Sequence, residues 1–328
     1  MAYAYCADQP GGVEVLEWRD IETPAPNAGE VVISQTKVGL NYIDVYMTSG
    51  IYPFPENGPQ IPGGEAAGIV TALGDGVTDL SIGDRVAYTT PNGAYREERV
   101  MPADRVVKLP DSISDEMAAA MMLKGMTVEY LLNRSFKVLP DSKVLFHAAA
   151  GGVGLIAGQW LKHIGATSIG TVGSAEKAEL AKAAGYTHVI NYNDVNFAEA
   201  VADLTDGAGV DVAYDSVGQS TYHGTLAALK TFGYFISFGQ SSGVIKDFAT
   251  GDLAKNGSLY AQRPTLFNYI GTRDSLNEVC GNMFKMITDG HIDIKINQRY
   301  ALKDVPKAFE ALTTRQTTGA TVFDTGRG

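Results

Sequence analysis

The chain is predicted to be an α/β protein in which a doubly wound parallel sheet accompanies a β-rich, partly open barrel. Three observations lead there. From residue 143 onward, apolar runs of strand length alternate with stretches of helical periodicity. The first of those junctions is a glycine-rich turn. Residues 1 to about 125 instead carry short strand-like runs separated by Pro, Gly, Asn and Asp. Strands interleaved with helices imply a parallel sheet, because every parallel connection needs a crossover, and punctuated strands without helices imply antiparallel pairing.

In chain order, Glu30 to Val38, Ala66 to Thr71 and Asp84 to Tyr88 are strands of the first half, with turns at Gly74-Asp75-Gly76 and Pro91-Asn92-Gly93. From Asp115 the pattern becomes helical and leads to a central strand, Val144 to His147, followed by a helix with Val153, Ile156, Trp160 and Ile164 on one face. Further strands are expected at Thr167 to Val172, Thr187 to Ile190, Val210 to Tyr214, Tyr234 to Phe238 and Ser258 to Ala261. Helices are expected around Glu176 to Ala184, Phe197 to Leu204 and Ser220 to Ala227. Beyond Arg263-Pro264 the alternation stops. A helix from Thr272 to Asp289, a strand near Ile292 to Tyr300, a helix from Val305 to Leu312 and a strand at Ala320 to Asp324 return to the first domain. The expected division is therefore residues 1–125 with 264–328 against residues 126–263.

Composition bounds the function. With 328 residues and 45% hydrophobic content, there is material for two cores. A net charge of −11 opposes sequence-independent attraction to nucleic acid. No apolar run is long enough to span a membrane, and the first residues have neither a basic nor an apolar leader segment, so a cytoplasmic location is expected. Cys6 and Cys280 are the only cysteines, which excludes a disulfide framework and any thiolate pair at metal-ligand spacing.

The turn reads Ala149-x-Gly151-x-x-Gly154, a dinucleotide fingerprint with Ala in the first glycine's place. Glycines there allow a sharp turn and a close approach of pyrophosphate to the first amides of a helix, here Gly152 and Val153. About 20 residues past such a turn, the end of the second strand reads the adenosine ribose. This chain has Gly173, Ser174 and Lys177 there: no carboxylate at 173 or 174 to repel a 2′-phosphate, a hydroxyl, and a positive charge. NADPH is therefore expected in preference to NADH, with Tyr192 after the third strand packing on the adenine or donating to the phosphate.

Several stretches taken together resemble one family: Asn41-Tyr42-Ile43-Asp44, Gly64-Glu65-Ala66-Ala67-Gly68, Gly83-Asp84-Arg85-Val86, Lys124-Gly125-Met126-Thr127, the glycine turn, Asp215-Ser216-Val217-Gly218, Ser237-Phe238-Gly239 and Arg263-Pro264. Their order and spacing are similar to those of the zinc-free NADPH:quinone oxidoreductases (zeta-crystallin type) of the medium-chain dehydrogenase/reductase superfamily. The resemblance implies a Rossmann dinucleotide-binding domain, a GroES-like catalytic domain and a homodimer joined through the nucleotide-binding sheets. Zinc-dependent members of the superfamily hold their metal with a Cys, the His of a Gly-His-Glu and a further Cys or acidic residue. In this chain Gly64 stands at the His position and the first Cys position falls in the Asn41-Tyr42 region, so tetrahedral zinc has no ligands and no metal is expected. His147, His163, His188, His223 and His291 are scattered and read as core or surface residues.

By the same resemblance, Tyr42, Asp44, Thr127, Tyr130, Ser216, Phe238, Gly239, Gln240 and Arg263 join the cofactor residues, and Asn41, Tyr46 and Tyr52 form the catalytic set. The expected reaction is reduction of a quinone, by hydride or stepwise electron transfer, with catalysis through proximity and orientation. Tyr46 and Tyr52 would flank a flat acceptor and donate to the developing phenolate. With sixteen tyrosines in the chain, packing of the barrel mouth is the competing role for Tyr42, Tyr46 and Tyr52. Rival functions are an NADPH-dependent enone or enal reductase and a non-catalytic NADPH- or RNA-binding protein.

Overall fold

The computed structural model describes residues 2–53 and 58–327. In chain order the strands and helices are β1 (Ala2–Cys6), β2 (Glu17–Ile21), β3 (Glu30–Leu40), α1 (Tyr42–Thr48), β4 (Glu65–Leu73), β5 (Arg85–Thr89), β6 (Glu98–Pro102), β7 (Val107–Lys108) and α2 (Asp115–Tyr130). Then come β8 (Lys143–Phe146), α3 (Gly152–Ile164), β9 (Thr167–Val172), α4 (Ala175–Ala183), β10 (His188–Asn191), α5 (Phe197–Leu204), β11 (Val210–Asp215), α6 (Tyr222–Ala227), β12 (Leu229–Ser237), α7 (Thr250–Lys255) and β13 (Tyr260–Gln262). The chain closes with α8 (Leu266–Tyr269), α9 (Arg273–Thr288), β14 (Ile296–Ala301), α10 (Val305–Thr313) and β15 (Ala320–Asp324). Two compact units result, one of Met1–Lys124, Ile270–Gly281 and Ile294–Gly328, the other of Gly125–Tyr269 and Asn282–Asp293.

The second unit is a six-stranded sheet in the order β10-β9-β8-β11-β12-β13, parallel throughout. Counted from β8 this is the 3-2-1-4-5-6 order of a doubly wound dinucleotide fold, with its switch point between β8 and β11. β8 lies between β9 and β11, and its Val144, Leu145 and Phe146 are buried, which explains why it reads as a continuous apolar run. A core of Leu145, Ile169, Ile190, Val210, Ala213, Tyr222 and Phe235 packs α5 and α6 against the sheet. β12 starts earlier than expected, at Leu229. Its polar start (Lys230, Thr231), a left-handed Phe232 (φ 62°) and a register shift opposite Val210–Val212 hide the strand's beginning from any alternation rule.

In the first unit a seven-stranded sheet runs β14-β15-β3-β4-β5-β7, with β6 also on β3, and β1 with β2 forms a separate antiparallel pair. β3 changes partners along its length. Residues 30–34 pair with β6 and residues 37–40 with β15, while β4 lines its other edge with two register shifts. Ile33, Val38, Val70, Val86, Tyr88 and Tyr95 fill the core together with Val305, Phe309 and Phe323 from the returning C-terminal segment. The return differs from expectation in one respect: residues 264–269 and 282–293 group with the second unit, so the division falls within α9.

Candidate cofactor and substrate site

In the second unit, the parallel topology gathers the expected cofactor residues at the carboxyl ends of the strands, where ligands of open α/β sheets bind. β8 ends at Phe146 and the chain turns through Ala148, which takes the left-handed conformation (φ 55°) and accepts from Gly151 N–H at 3.0 Å. α3 begins at Gly152, and its first i→i−4 bond is Leu155 N–H to Gly151 C=O at 2.9 Å. The amides of Gly152 and Val153 thus precede the helical ladder, as an anion seat requires. A Cβ on Gly154 would lie 2.4 Å from Ala148 O and 2.6 Å from both Ala149 C and O, so the glycine is what lets the helix start against the turn.

At the end of β9, a Cβ on Gly173 would lie 2.5 Å from the Tyr192 hydroxyl, which places the end of β10 beside the end of β9. Asn193 Nδ2 donates to Gly173 C=O at 2.7 Å. Ser174 caps α4 by accepting from Lys177 N–H at 3.3 Å, which puts Lys177 in the helix's first turn. Gly173, Ser174, Lys177 and Tyr192 therefore form one neighbourhood. Across the switch point, the loops after β11 and β12 are laced together. Phe238 N–H donates to Asp215 C=O at 2.8 Å, Ser241 N–H to Ser216 C=O at 3.1 Å, and Ser242 N–H to Val217 C=O at 2.8 Å. A Cβ on Gly239 would lie 2.7 Å from Ser216 O, so Ser216, Phe238, Gly239 and Gln240 belong to one wall. Thr127 and Tyr130 are buried on α2, and the Tyr130 ring stacks on Tyr269 at 4.5 Å. Burial pushes the Tyr130 phenol well above its usual range, and Arg263, at the end of β13, draws it part of the way back.

Beneath the turn runs a buried polar chain. His147 Nδ1 meets Thr171 Oγ1 at 2.8 Å and its Nε2 meets Thr225 Oγ1 at 3.0 Å. Thr225 in turn donates to Asp215 Oδ2 at 3.0 Å, while Asp215 Oδ1 accepts from Val217 and Gly218 N–H at 2.7 and 2.9 Å. Burial drives the His147 pKa down against the pull of Asp215, so the imidazole is neutral. The chain ties β8, β9, β11 and α6 together below the turn. His163 and His291, by contrast, are exposed neighbours with ring centroids 4.0 Å apart.

The first unit contains α1. Asn41 and Asp44 form a reciprocal capping box at its start, and Tyr42 and Tyr46 project one turn apart with ring centroids 5.3 Å apart. Tyr52 is half-buried in the segment beyond the helix, and among the described residues its ring makes no such contact. Ile51 N–H donates to Tyr46 C=O at 3.1 Å, so the backbone just before Tyr52 returns to the end of α1. Below α1 lies a sealed ionic cluster. Glu65 Oε1 accepts from Lys124 Nζ at 2.6 Å and from Asn41 Nδ2 at 2.8 Å, and Glu65 Oε2 accepts from Leu123 N–H at 2.7 Å. Asp44 Oδ2 accepts from Asn41 N–H at 2.8 Å and from Tyr95 O–H at 2.7 Å. Asp44 and Glu65 are fully buried.

The comparisons follow this division. Residues 27–111 match the family described as alcohol dehydrogenase GroES-like domain, and residues 152–281 match that described as zinc-binding dehydrogenase. A quinone oxidoreductase of Salmonella typhimurium is 46% identical over 316 residues, 95% of this chain and 96% of the relative. The chain belongs to the quinone oxidoreductase family. Within the medium-chain dehydrogenase/reductase superfamily, another member is the Escherichia coli quinone oxidoreductase, solved in complex with NADPH; it is 43% identical with a TM-score of 0.95, covering 98% of this chain and 99% of that one. A 2-haloacrylate reductase of a Burkholderia species is 38% identical over 330 residues, 98% of this chain and 99% of the relative.

One family description names zinc, and the donor set here does not fit it. Gly64 has no side chain, and a Cβ there would have Leu123 Cδ1 at 2.8 Å and Asp44 Oδ1 and Thr90 O at 3.5 Å as its nearest neighbours, none of them a thiolate or imidazole. Among the described residues no group of three metal-binding side chains gathers anywhere. Among the described residues, too, no helix is long and apolar enough to cross a membrane.

Sequence reading missed four contributors. Glu65 and Lys124 were noticed only as family markers, yet each is a charge inside an apolar run (Glu65 before AAGIV, Lys124 after AAAMML), which is itself a signal for a buried pair. Tyr95 carries no local signal at all. Arg315, left-handed (φ 62°), lies close enough to Tyr42 that its charge opposes the rise that burial imposes on that phenol. Its left-handed backbone is the cap that ends α10, with Arg315 N–H donating to Leu312 C=O at 3.1 Å and Gln316 N–H to Ala311 C=O at 2.9 Å.

Proposed function

We propose that the chain is an NADPH-dependent quinone reductase. The observation that supports this best is the joint placement, at the carboxyl ends of the parallel strands, of a pyrophosphate seat at Gly152–Val153 and a neighbourhood of Gly173, Ser174, Lys177 and Tyr192 without a ribose-reading carboxylate. The 2′-phosphate falls to Ser174 and Lys177, with Tyr192 against the adenine. The nicotinamide half falls to Thr127, Tyr130, Ser216, Phe238, Gly239, Gln240 and Arg263 and, from α1, to Tyr42, whereas the buried Asp44 holds the start of that helix from within. When bound, NADPH supplies the reducing equivalents; the chain's own residues bind, orient and exclude water. Asn41 holds the start of α1, and Tyr46 and Tyr52 flank the acceptor and donate to its developing oxyanion. Lys177→Ala is expected to lower kcat/KM for NADPH by about tenfold or more, as for loss of a charged hydrogen bond, and to leave that for NADH unchanged. Equal use of both cofactors by the parent would remove the role given to Lys177.

The 38% identical 2-haloacrylate reductase favours a second reading, in which the acceptor is an activated alkene. Both acceptors need the same orientation of cofactor and substrate. NADPH consumption across a panel of quinones, enones and haloacrylates separates them.

The functional division we propose is residues 1–125 with 264–328 for the acceptor and 126–263 for the dinucleotide. We further propose a cytoplasmic homodimer. The cytoplasm is supported by two free, buried cysteines, Cys6 and Cys280, and cell fractionation checks it. The dimer is supported by β13, which among the described residues pairs with β12 alone and is exposed along its length, with Tyr260 54% and nearby Phe232 62% exposed. Such an edge is a template for strand pairing. Sedimentation is expected to give twice the chain mass, and Ala261→Pro to give the monomer; a monomeric parent would sink the proposal.

A further inference from the structure

Asp44 has an unusual account of hydrogen bonds. Its Oδ2 accepts twice, from Asn41 N–H at 2.8 Å and Tyr95 O–H at 2.7 Å, while Oδ1 is buried with no partner among the described residues. The atom faces the empty side of Gly64, where a Cβ would stand 3.5 Å away. A carboxylate has about four acceptor sites and no donor, so an ionised Asp44 would leave half its capacity unmet in a sealed place. Burial of that kind is expensive.

The charges around it point the same way. From β4, Glu65 faces Asp44; from α2, Lys124; from the segment after β5, the Tyr95 phenol; and from α1 itself, Asn41, with Thr48 Oγ1 donating to Asp44 C=O at 2.9 Å. Glu65 is already matched by Lys124. The cluster is neutral when Asp44 is neutral and carries an uncompensated negative charge when it is not.

We propose that Asp44 is a positioning residue that works as a neutral carboxylic acid, with its proton on Oδ1, and fixes the start of α1 and so the Tyr42–Tyr46 pair. Burial, the dominant influence, raises the carboxyl to about 7, with Glu65 adding to the rise and Tyr95, Asn41 and Lys124 opposing it. The sign follows. The folded pKa lies above the unfolded value of 3.8, so the stability contributed by Asp44 is full below that value and is lost as pH rises to about 7. Ionisation above that point loosens the first turn of α1. The inference rests on the quinone-reductase reading only for its meaning in catalysis, because its test does not require turnover.

Infrared difference spectra of the protein, taken across pH 5 to 9, are expected to contain a protonated-carboxyl band that disappears near pH 7 and is absent from Asp44→Asn. Amide hydrogen exchange in residues 42–48 is expected to speed up as pH rises from 6 to 8 beyond its intrinsic pH dependence. The neutral fraction of such an acid falls about tenfold over that interval. In Asp44→Asn, which keeps an acceptor for Tyr95 and Asn41 and places an N–H where the proton stood, the excess acceleration is expected to vanish. In Asp44→Ala, which leaves both donors unpaired, residues 42–48 exchange fast at every pH. No band in the parent, or the same excess acceleration in Asp44→Asn, overturns the proposal. Absence of quinone turnover alongside the band and the pH-dependent exchange counts against the reductase reading and supports the role of Asp44.

Discussion

Lys124→Met is expected to cost about 3–5 kcal/mol of folding stability, the usual consequence of removing one partner from a buried ion pair. The Lys124 side chain is 6% exposed and Glu65 wholly buried, at 2.6 Å, so the deleted ammonium leaves a carboxylate with no counter-charge and no water. Asn41 Nδ2 and Leu123 N–H still donate to it, but neutral donors do not replace a charge. The double substitution Lys124→Met with Glu65→Gln is expected to recover most of the loss, since the amide still accepts from both neutral donors and no charge remains. Urea denaturation of the parent, both single variants and the double variant measures the coupling. A single-variant loss below about 1 kcal/mol would show that the pair behaves as a solvated surface bridge.

The second large effect is expected at Gly154→Ala. The added Cβ would meet backbone, 2.4 Å from Ala148 O and 2.6 Å from Ala149 C and O, so either α3 moves off the turn or the turn gives way. Overpacking of this kind costs about 1–3 kcal/mol. The larger loss is in cofactor binding, because the amides of Gly152 and Val153 move with the helix. NADPH affinity is expected to fall more than about tenfold, equivalent to about 1.4 kcal/mol. Titration of NADPH fluorescence measures it. Gly173→Ala is the informative contrast: its Cβ meets the hydroxyl end of the exposed Tyr192 side chain, which can swing aside. Similar losses from both substitutions would mean that the turn is not the tighter of the two approaches.

Much of the second unit was legible because its physics is local. A strand buried on both faces must be apolar throughout, as Val144, Leu145 and Phe146 are, and a strand-to-helix turn that seats an anion must be small and glycine-rich. The ranges Thr167–Val172 and Phe197–Leu204 follow directly from such runs. The first unit was harder to read. β7 has two residues and β2 is largely exposed, so neither offers enough alternation to register. β14 begins four residues later than its apolar neighbourhood suggests, since Ile292 and Ile294 are buried outside any strand. The site was legible as far as residue type and spacing carry chemistry, at Gly154, Gly173, Ser174 and Lys177. The ionic cluster was not, because Asn41, Glu65, Tyr95 and Lys124 meet only through tertiary pairing and no single segment shows the match. Asp44 was assigned to the cofactor from its motif, whereas its side chain is turned into the protein, beneath α1.

The partner exchange along β3 bears on the order in which a nascent chain matures. The six strands of the second unit lie between residues 143 and 262, so that sheet has all its members once that stretch has left the ribosome. β3 is made early, but its residues 37–40 wait for residues 321–324. At ordinary translation rates of about 5–20 residues per second, that interval lasts about 15–60 seconds. During it β3 exposes an unpaired edge, and the core around Tyr95 lacks Phe309 and Phe323, whose rings finally close on it at 6.0 and 5.6 Å. The amino-terminal half of this protein is therefore synthesised first and completed last.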